Sequence, residues 1–363
     1  MTVRPDEFPP PRKILVRATN WVGDAILSLP ALRAMRQRFP AAEIVLLAKP
    51  YVSDLYQQEA VANRGIIYNP KKEHRGPGGF CKLIAELRRE QFDTAVLLQN
   101  AFHAAWIAYL ARIPARIGYA TEGRAPLLTH PVEVPPPVHY GHQSYYYMQL
   151  LYRAGLAERP TPIERIRLAI QPAEKNWAVK YIKNTGLAGP RFLIGVSPGA
   201  AYGPAKRWLA DRFAQLADRL IEALHADVLI FGSKAERPLA ETMAQAMRHM
   251  PVILAGETSL RQWMALLSQC RVVITNDSGA MHVAAGVGVP VVAIFGSTDL
   301  SATGPISPRA RVVQHAVDCS PCGYHICPID FRCMNGVAVE DVYRVALTLV
   351  KECRVTHEPR FED

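Results

Sequence analysis

What this sequence lacks narrows its reading before any motif is considered. It has no run of about eighteen uncharged apolar residues, so no membrane-spanning helix is expected. Its opening stretch, MTVRPDEFPPPRK, has none of the apolar core that a signal peptide carries, which argues for the cytoplasm. Acid is in short supply: 32 Asp and Glu face 42 Lys and Arg, a net charge of +10. Such an excess suits an anionic partner, whether phosphates, nucleic acid or a membrane surface. There is, however, no basic helix and no RNA-binding aromatic motif, so nucleic acid is not the expected partner. Neither a Walker A loop nor a GxGxxG fingerprint is present. The seven cysteines do not make paired CxxC knuckles. Cys319 and Cys322 form one CxxC, but Cys327 and Cys333 follow at unmatched gaps. Structural thiols are therefore expected ahead of a zinc site, and stable disulfides are disfavoured in a cytosolic setting.

What is present is enough apolar residue, 49% of 363, to fill two cores. Short β-branched runs alternate with helical spacing through the chain. Lys13–Arg17, Glu43–Leu47, Gly65–Tyr68 and Asp93–Leu98 read as strands, with a helix from about Ala25 to Arg38 that Pro30 should kink. Further helices are expected at Phe80–Arg89, Phe102–Arg112 and Gln143–Ala154. The Gly76-Pro77-Gly78-Gly79 stretch reads as a solvated loop, Pro126 to Pro137 as irregular, and Arg165–Ile170 as a closing strand. A second alternation begins at Phe192–Val196 and ends in a helix over Val339–Cys353. Strands alternating with helices mean parallel, doubly wound sheets. The expected fold is α/β, with two α/β/α domains facing across a cleft, residues 1–172 and 173–363, and no sequence-level repeat between them.

The organising stretch is RVVITNDSGAMHVAAGVGVPVVAIFGSTDLSATG, Arg271 to Gly304: strand, tight turn, short helix, strand. Asp277, Ser278, Gly279 and His282 lie at its strand end, where a helix N-terminus offers unpaired N–H groups to an anion. Ser197, Gly199 and Ala200 follow an earlier strand in a glycine-containing loop that carries Lys206, suited to phosphates. Gly232, Ser233 and Glu236 end another strand, where a carboxylate can bind ribose hydroxyls. Asp24 sits at the end of the first strand near a helix N-terminus, which suits either a helix N-cap or a general base kept ionised by the helix dipole. A basic concentration lies at Lys71, Lys72, His74 and Arg75.

Asn20-Trp21-Val22-Gly23-Asp24, Ser197-Pro198-Gly199-Ala200, Gly203-Pro204-Ala205-Lys206-Arg207-Trp208, Asn276-Asp277-Ser278-Gly279-Ala280-Met281-His282 and Thr303-Gly304-Pro305 together resemble the lipopolysaccharide heptosyltransferases of glycosyltransferase family 9. The match runs in the family's order over nearly the whole chain. The Asn-Trp start, the GPAKRW loop and the CSPC tail are most similar to its heptosyltransferase II branch. The resemblance implies a GT-B architecture of two Rossmann-like domains. It implies inverting transfer of L-glycero-D-manno-heptose from ADP-heptose to the inner-core heptose of heptosyl-Kdo2-lipid A, by a monomer peripherally associated with the inner membrane. The donor would meet Ser197, Gly199, Ala200, Lys206, Gly232, Ser233, Glu236, Asp277, Ser278, Gly279 and His282, with Asp277 on sugar hydroxyls. The acceptor would meet Asn20, Trp21, Gly23, Lys71, Lys72 and Arg75. Asp24 would be the general base, and Lys206 would offset the leaving-group charge. No metal or other cofactor is then expected. Another family 9 transferase is the nearest alternative. A sugar-nucleotide epimerase of the same architecture and a basic nucleic-acid- or zinc-binding module are more distant ones.

Overall fold

The computed structural model describes residues 10–136, 141–187 and 192–355. It divides after Ile163 into two compact units. The first contains β1 (Lys13–Arg17), α1 (Val22–Arg38), β2 (Glu43–Ala48), α2 (Pro50–Tyr56), β3 (Arg64–Ile67), α3 (Gly76–Arg89), β4 (Thr94–Leu97), α4 (Phe102–Leu110), β5 (Ala115–Tyr119), β6 (His130–Val132) and α5 (Gln143–Arg153). The second contains α6 (Pro172–Asn184), β7 (Phe192–Ser197), α7 (Ala210–Leu224), β8 (Ala226–Ile230), α8 (Arg237–Ala246), β9 (Val252–Ile253), α9 (Leu260–Leu267), β10 (Val272–Asn276), α10 (Gly279–Gly286), β11 (Val291–Phe295), α11 (Leu300–Thr303), β12 (Ala310–Gln314), α12 (Arg332–Asn335) and α13 (Val339–Val355). Among the described residues, each unit has one parallel six-stranded sheet, ordered β3-β2-β1-β4-β5-β6 and β12-β11-β10-β7-β8-β9. The expected α/β class is what the chain adopts.

The central strands are apolar on both faces because helices cover both. In the first unit, α3 and α4 close one face over Leu15, Val45, Leu47, Ala95 and Leu97, while α1 packs against α2 and α5. In the second, α7, α8 and α13 build a core around Trp208, Phe213, Ile274 and Met334.

Three local expectations need correction. Gly76 to Gly79 is not a loop but the first turn of α3, with Pro77 at the helix start, where a missing N–H costs nothing. A Cβ at Gly79 would press on the His74 backbone at 2.8 Å, so the glycine lets the preceding turn fold onto the helix. The proline-rich stretch contains β6, which lies at the sheet edge, where Pro131, in register with Gly118, is tolerated despite having no N–H to donate. Pro137 itself falls outside the described residues. Residues 165–170 form no strand.

That last segment belongs with the second unit: Ile166 N–H donates to Ile306, Leu168 N–H to Gly286, and Arg261 to the Ala169 carbonyl. The division therefore falls nine residues before the expected boundary. Arg261 also forks onto Glu174 at 2.7 Å through Nε, and the Gln171 N–H donates to the same carboxylate. Burial pushes the Glu174 carboxyl up, but the bonds from Arg261 and Gln171 outweigh it and hold it below its ordinary value of 4.5. A depressed carboxylate stabilises the fold above its unfolded pKa, and that stabilisation fades as pH falls through the folded value. An Arg261→Leu variant should therefore be less stable at pH 7 and lose less on acidification below about pH 4.5 than the parent. Parallel acid-unfolding curves for the two proteins would show this link to be absent.

Candidate active site

In the second unit the order of strands reverses between β7 and β10: β8 and β9 continue to one side, β11 and β12 to the other. Open α/β sheets bind ligands at the carboxyl ends of the strands at such a switch point. Ser197, buried, ends β7, and Asn276 ends β10. Asn276 Nδ2 donates to the Pro198 carbonyl at 2.7 Å, and its Oδ1 accepts from Trp208 N–H at 2.9 Å. One asparagine thus staples both ends of the 198–208 loop to the strand.

That loop delivers Lys206 to Asp277. The ammonium donates to Asp277 Oδ2 at 2.6 Å and lies 4.9 Å over the Tyr202 ring, while Thr298, just past β11, donates to the same carboxylate oxygen. Asp277 is 4% exposed and Lys206 13%, so the pair is held away from bulk water. Ser278 is the N-cap of α10 but makes no side-chain cap; its Oγ lies 3.3 Å from Thr275 Oγ1. The first-turn N–H groups of α10, beginning at Gly279, therefore face a position beside an ammonium. His282 lies one turn further on and is buried. Ala200 is buried as well, and its carbonyl accepts from the Arg207 guanidinium.

Past β8, the Ser233 N–H and hydroxyl both donate to Glu236 Oε2, at 2.7 and 2.8 Å, a capping box at the start of a short 3-10 turn. Glu236 thus serves the helix start, yet its carboxylate also sits where a Gly199 side chain would be, so the glycine is what lets the two loops close. Gly232 has the same acid over it.

The cysteine-bearing loop straps this edge together. Cys322 and Gly323 N–H groups donate to the Ser297 carbonyl at 3.0 and 2.7 Å, Tyr202 Oη donates to the Gly323 carbonyl at 2.7 Å, and Ala205 N–H donates to the His325 carbonyl at 3.2 Å. Cys319 is exposed, Cys322 and Cys327 are half-buried, and Cys333 is buried, where desolvation raises its thiol pKa. Among the described residues no group of three or more His, Cys, Asp or Glu is arranged to hold a metal ion.

The first unit repeats the arrangement. Its switch point lies between β1 and β4. Asn20, Trp21 and Gly23 follow β1, and Trp21, not Asp24, is the N-cap of α1; Asp24 occupies the first turn. Trp21 is 55% exposed, and Tyr51 Oη donates to the Asn20 carbonyl at 2.6 Å. Asp24 faces Tyr147 of α5 and Tyr56 of α2. Burial, joined by the Asp24 charge, pushes the Tyr147 hydroxyl far up and the Tyr56 hydroxyl to about 12.

Arg17 lies beneath this edge. It is 2% exposed and donates to the Ala18 and Leu47 carbonyls and to Asn20 Oδ1, while its Nε has no hydrogen-bond partner. Desolvation lowers it to about 10. Burial also lowers Lys49, with the charges of Arg17 and Lys71 acting in the same direction. Lys71, Lys72 and Arg75 are exposed, and the turn carrying them stacks on the sheet edge through His74 and Tyr68, 5.9 Å apart.

The sequence alone assigned no role to Thr298, Tyr202, Asn276 and His325 in the second unit or to Arg17, Lys49 and Tyr147 in the first. Thr298, Asn276 and Lys49 each end or follow a parallel strand, and that position was the available signal. Tyr202, His325 and Tyr147 come close only through tertiary packing.

Comparison with known proteins identifies the family and the fold. The model of glycosyltransferase family 9 (heptosyltransferase) matches residues 80–330. Lipopolysaccharide heptosyltransferase 2 of Escherichia coli is 33% identical over 86% of this chain and 89% of its own length. Lipooligosaccharide heptosyltransferase 2 of Haemophilus influenzae is 32% identical over 83% and 88%. The solved E. coli ADP-heptose lps heptosyltransferase II superposes with a TM-score of 0.81 at 30% identity, over 94% of this chain and 99% of that one. A family 9 glycosyl transferase from Veillonella parvula, at 23% identity, shares the fold with a TM-score of 0.80. Two doubly wound units with polar switch points, a family model covering most of the chain and relatives a third identical along it lead to one conclusion: this chain is a glycosyltransferase and belongs to family 9, the heptosyltransferases.

Proposed function

We propose that this enzyme transfers L-glycero-D-manno-heptose from ADP-heptose to the inner-core heptose of heptosyl-Kdo2-lipid A. The observation that carries the donor half is the Lys206–Asp277–Thr298 cluster beside the uncapped start of α10. The diphosphate lies against the N–H groups of Ser278 and Gly279 at the start of α10 and against Lys206, and the loop of Ser197, Gly199 and Ala200 approaches it closely. As the glycosidic bond breaks, charge grows on the departing phosphate, and the ammonium and the helix terminus already aimed at it offset that charge. Asp277 meets sugar hydroxyls, Glu236 with Gly232 and Ser233 meets the ribose, and His282 supports the phosphate side from within α10. These groups need no metal. On the acceptor side, Asn20, Trp21 and Gly23 hold the sugar, while Lys71, Lys72 and Arg75, with Lys49 and Arg17 behind them, meet its anionic groups. Asp24 takes the proton of the attacking hydroxyl in a single inverting displacement. The enzyme acts as a monomer on the cytoplasmic face of the inner membrane.

The test is incubation with ADP-heptose and heptosyl-Kdo2-lipid A, with a chelator present, following ADP release and the mass of the glycolipid. One added heptose per released ADP is the expected result. Addition only to Kdo2-lipid A lacking the first heptose, ADP release without a mass gain, or dependence on added metal would each overturn a stated part of the reading.

A second expectation concerns the strap. A Cβ at Gly203 would lie 2.8 Å from His325 Nδ1 and collide with the His325 carbonyl. Gly203→Ala should push the Lys206 turn off the cysteine-bearing loop. ADP affinity should fall about tenfold, the equivalent of one charge-assisted contact, with little change in fold. Calorimetry that found parental ADP affinity would separate the strap from donor binding.

A further inference from the structure

Helix α4 buries Ala104, Ala105, Ile107 and Ala108 and turns Phe102, Trp106 and Tyr109 outward. These three aromatics are 48%, 40% and 49% exposed and recur at i, i+4 and i+7, a continuous stripe along one helix face. Its central ring is anchored: Trp106 stacks on Phe80 of α3 at 4.9 Å, Phe80 lies 5.4 Å from His103, and His103 stacks on Tyr68 at 5.8 Å. Large aromatics left in water at this density, on a helix whose other face is already satisfied, mark a contact surface.

The charge around the stripe selects its partner. Arg116 holds its guanidinium 5.5 Å over the Tyr109 ring, and Arg88 Nε donates to the Leu110 carbonyl at 2.9 Å. Lys82 and Arg89 of α3 and Arg112, just past α4, are exposed, as are Lys71, Lys72 and Arg75 on the turn that leads into α3. No Asp or Glu occurs from Thr94 to Thr121, and Glu86, the nearby acid of α3, lies 3.9 Å from His74 Nε2. The asymmetry extends over the whole unit: residues 1–163 carry 20 Lys and Arg against 13 Asp and Glu, so +7 of the chain's +10 lies in the first unit. Two copies of such a face would oppose like charges. An anionic bilayer complements it, since Trp and Tyr settle at the headgroup level while Lys and Arg meet phosphates.

We propose that the aromatic stripe of α4, with its basic rim, is the surface by which this enzyme seats on an anionic lipid bilayer. The assignment rests on the reading of the acceptor as a membrane glycolipid, and it gives that reading a place on the molecule: the α3–α4 side of the first unit, next to the turn that carries Lys71, Lys72 and Arg75.

The experiment uses the full chain and vesicles of phosphatidylglycerol with phosphatidylethanolamine, against vesicles of phosphatidylcholine alone. Co-sedimentation is expected with the anionic vesicles only. It should fall about tenfold in Phe102→Ser/Trp106→Ser/Tyr109→Ser and again, with the stripe intact, in Lys82→Glu/Arg112→Glu, whose two positions are exposed. Both variants should retain transfer to a delipidated, water-soluble acceptor, which separates docking from catalysis. Failure of transfer with vesicle binding intact would sink the acceptor reading and leave the surface standing. Equal vesicle binding by the parent and both variants, or a concentration-dependent dimer that the triple variant abolishes, would overturn the proposal.

Discussion

Asp24→Asn is expected to fold, bind ADP-heptose and lose turnover by about 10²–10⁴-fold, the usual worth of a positioned general base. The structure sharpens this expectation by removing its main competitor. Asp24 is not the N-cap of α1; Trp21 is. As a first-turn acid it also meets the helix dipole favourably, worth about 0.3–1 kcal/mol. Tyr147 and Tyr56, which flank it, are kept neutral mainly by burial and stay so whether or not the carboxylate is there. Thermal unfolding and donor titration on one side, and single-turnover transfer on the other, divide the two roles. A variant with parental single-turnover rates would return Asp24 to a purely structural position.

Lys206→Ala is expected to damage two properties at once. Among the described residues Asp277, 4% exposed, would keep Thr298 alone as a side-chain donor, and removing one partner of a buried pair costs about 3 kcal/mol or more. Donor binding should weaken as well, by about 1.5–3 kcal/mol for a charge-assisted contact. Since instability alone can mimic lost binding, the informative protein is Lys206→Ala/Asp277→Asn. There the orphaned charge is gone, so most of the stability should return. ADP affinity should not, if the ammonium meets the diphosphate. Recovery of both in the double variant would mean that Lys206 serves only to neutralise Asp277.

Much of this architecture was legible before any coordinates. Runs such as Ile14-Leu15-Val16 and Val291-Val292-Ala293 are apolar without alternation because both sheet faces are covered, and that pattern by itself announces parallel strands. The strand-end rule then located Asp24, Ser197, Gly232 and Asp277 without any knowledge of strand order, because a carboxyl end is defined locally. The errors had local causes too. Gly and Pro at 76–79 look like a loop, yet they are tolerated in a helix's first turn, and Gly79 is demanded there by the His74 backbone. Pro131 argues against a strand except at an edge, and an edge is a property of the sheet rather than of the residue.

The sequence by itself determined the α/β class, the two-unit plan and the loops that end its strands, since hydrophobic period and chain direction are written residue by residue. Only the tertiary structure decided which of those loops touch. Strand order put β7 beside β10, and so Lys206 within 2.6 Å of Asp277 across 71 residues of chain. It also brought Thr298 onto the same carboxylate and set the tail loop of Cys322, Gly323 and His325 against Tyr202 and Ala205. In the same way it assigned Glu236 to the space left by Gly199 and turned the aromatic face of α4 outward. Each of these depends on residues distant in the chain, brought into place by sheet register and side-chain packing, and no local pattern fixes it.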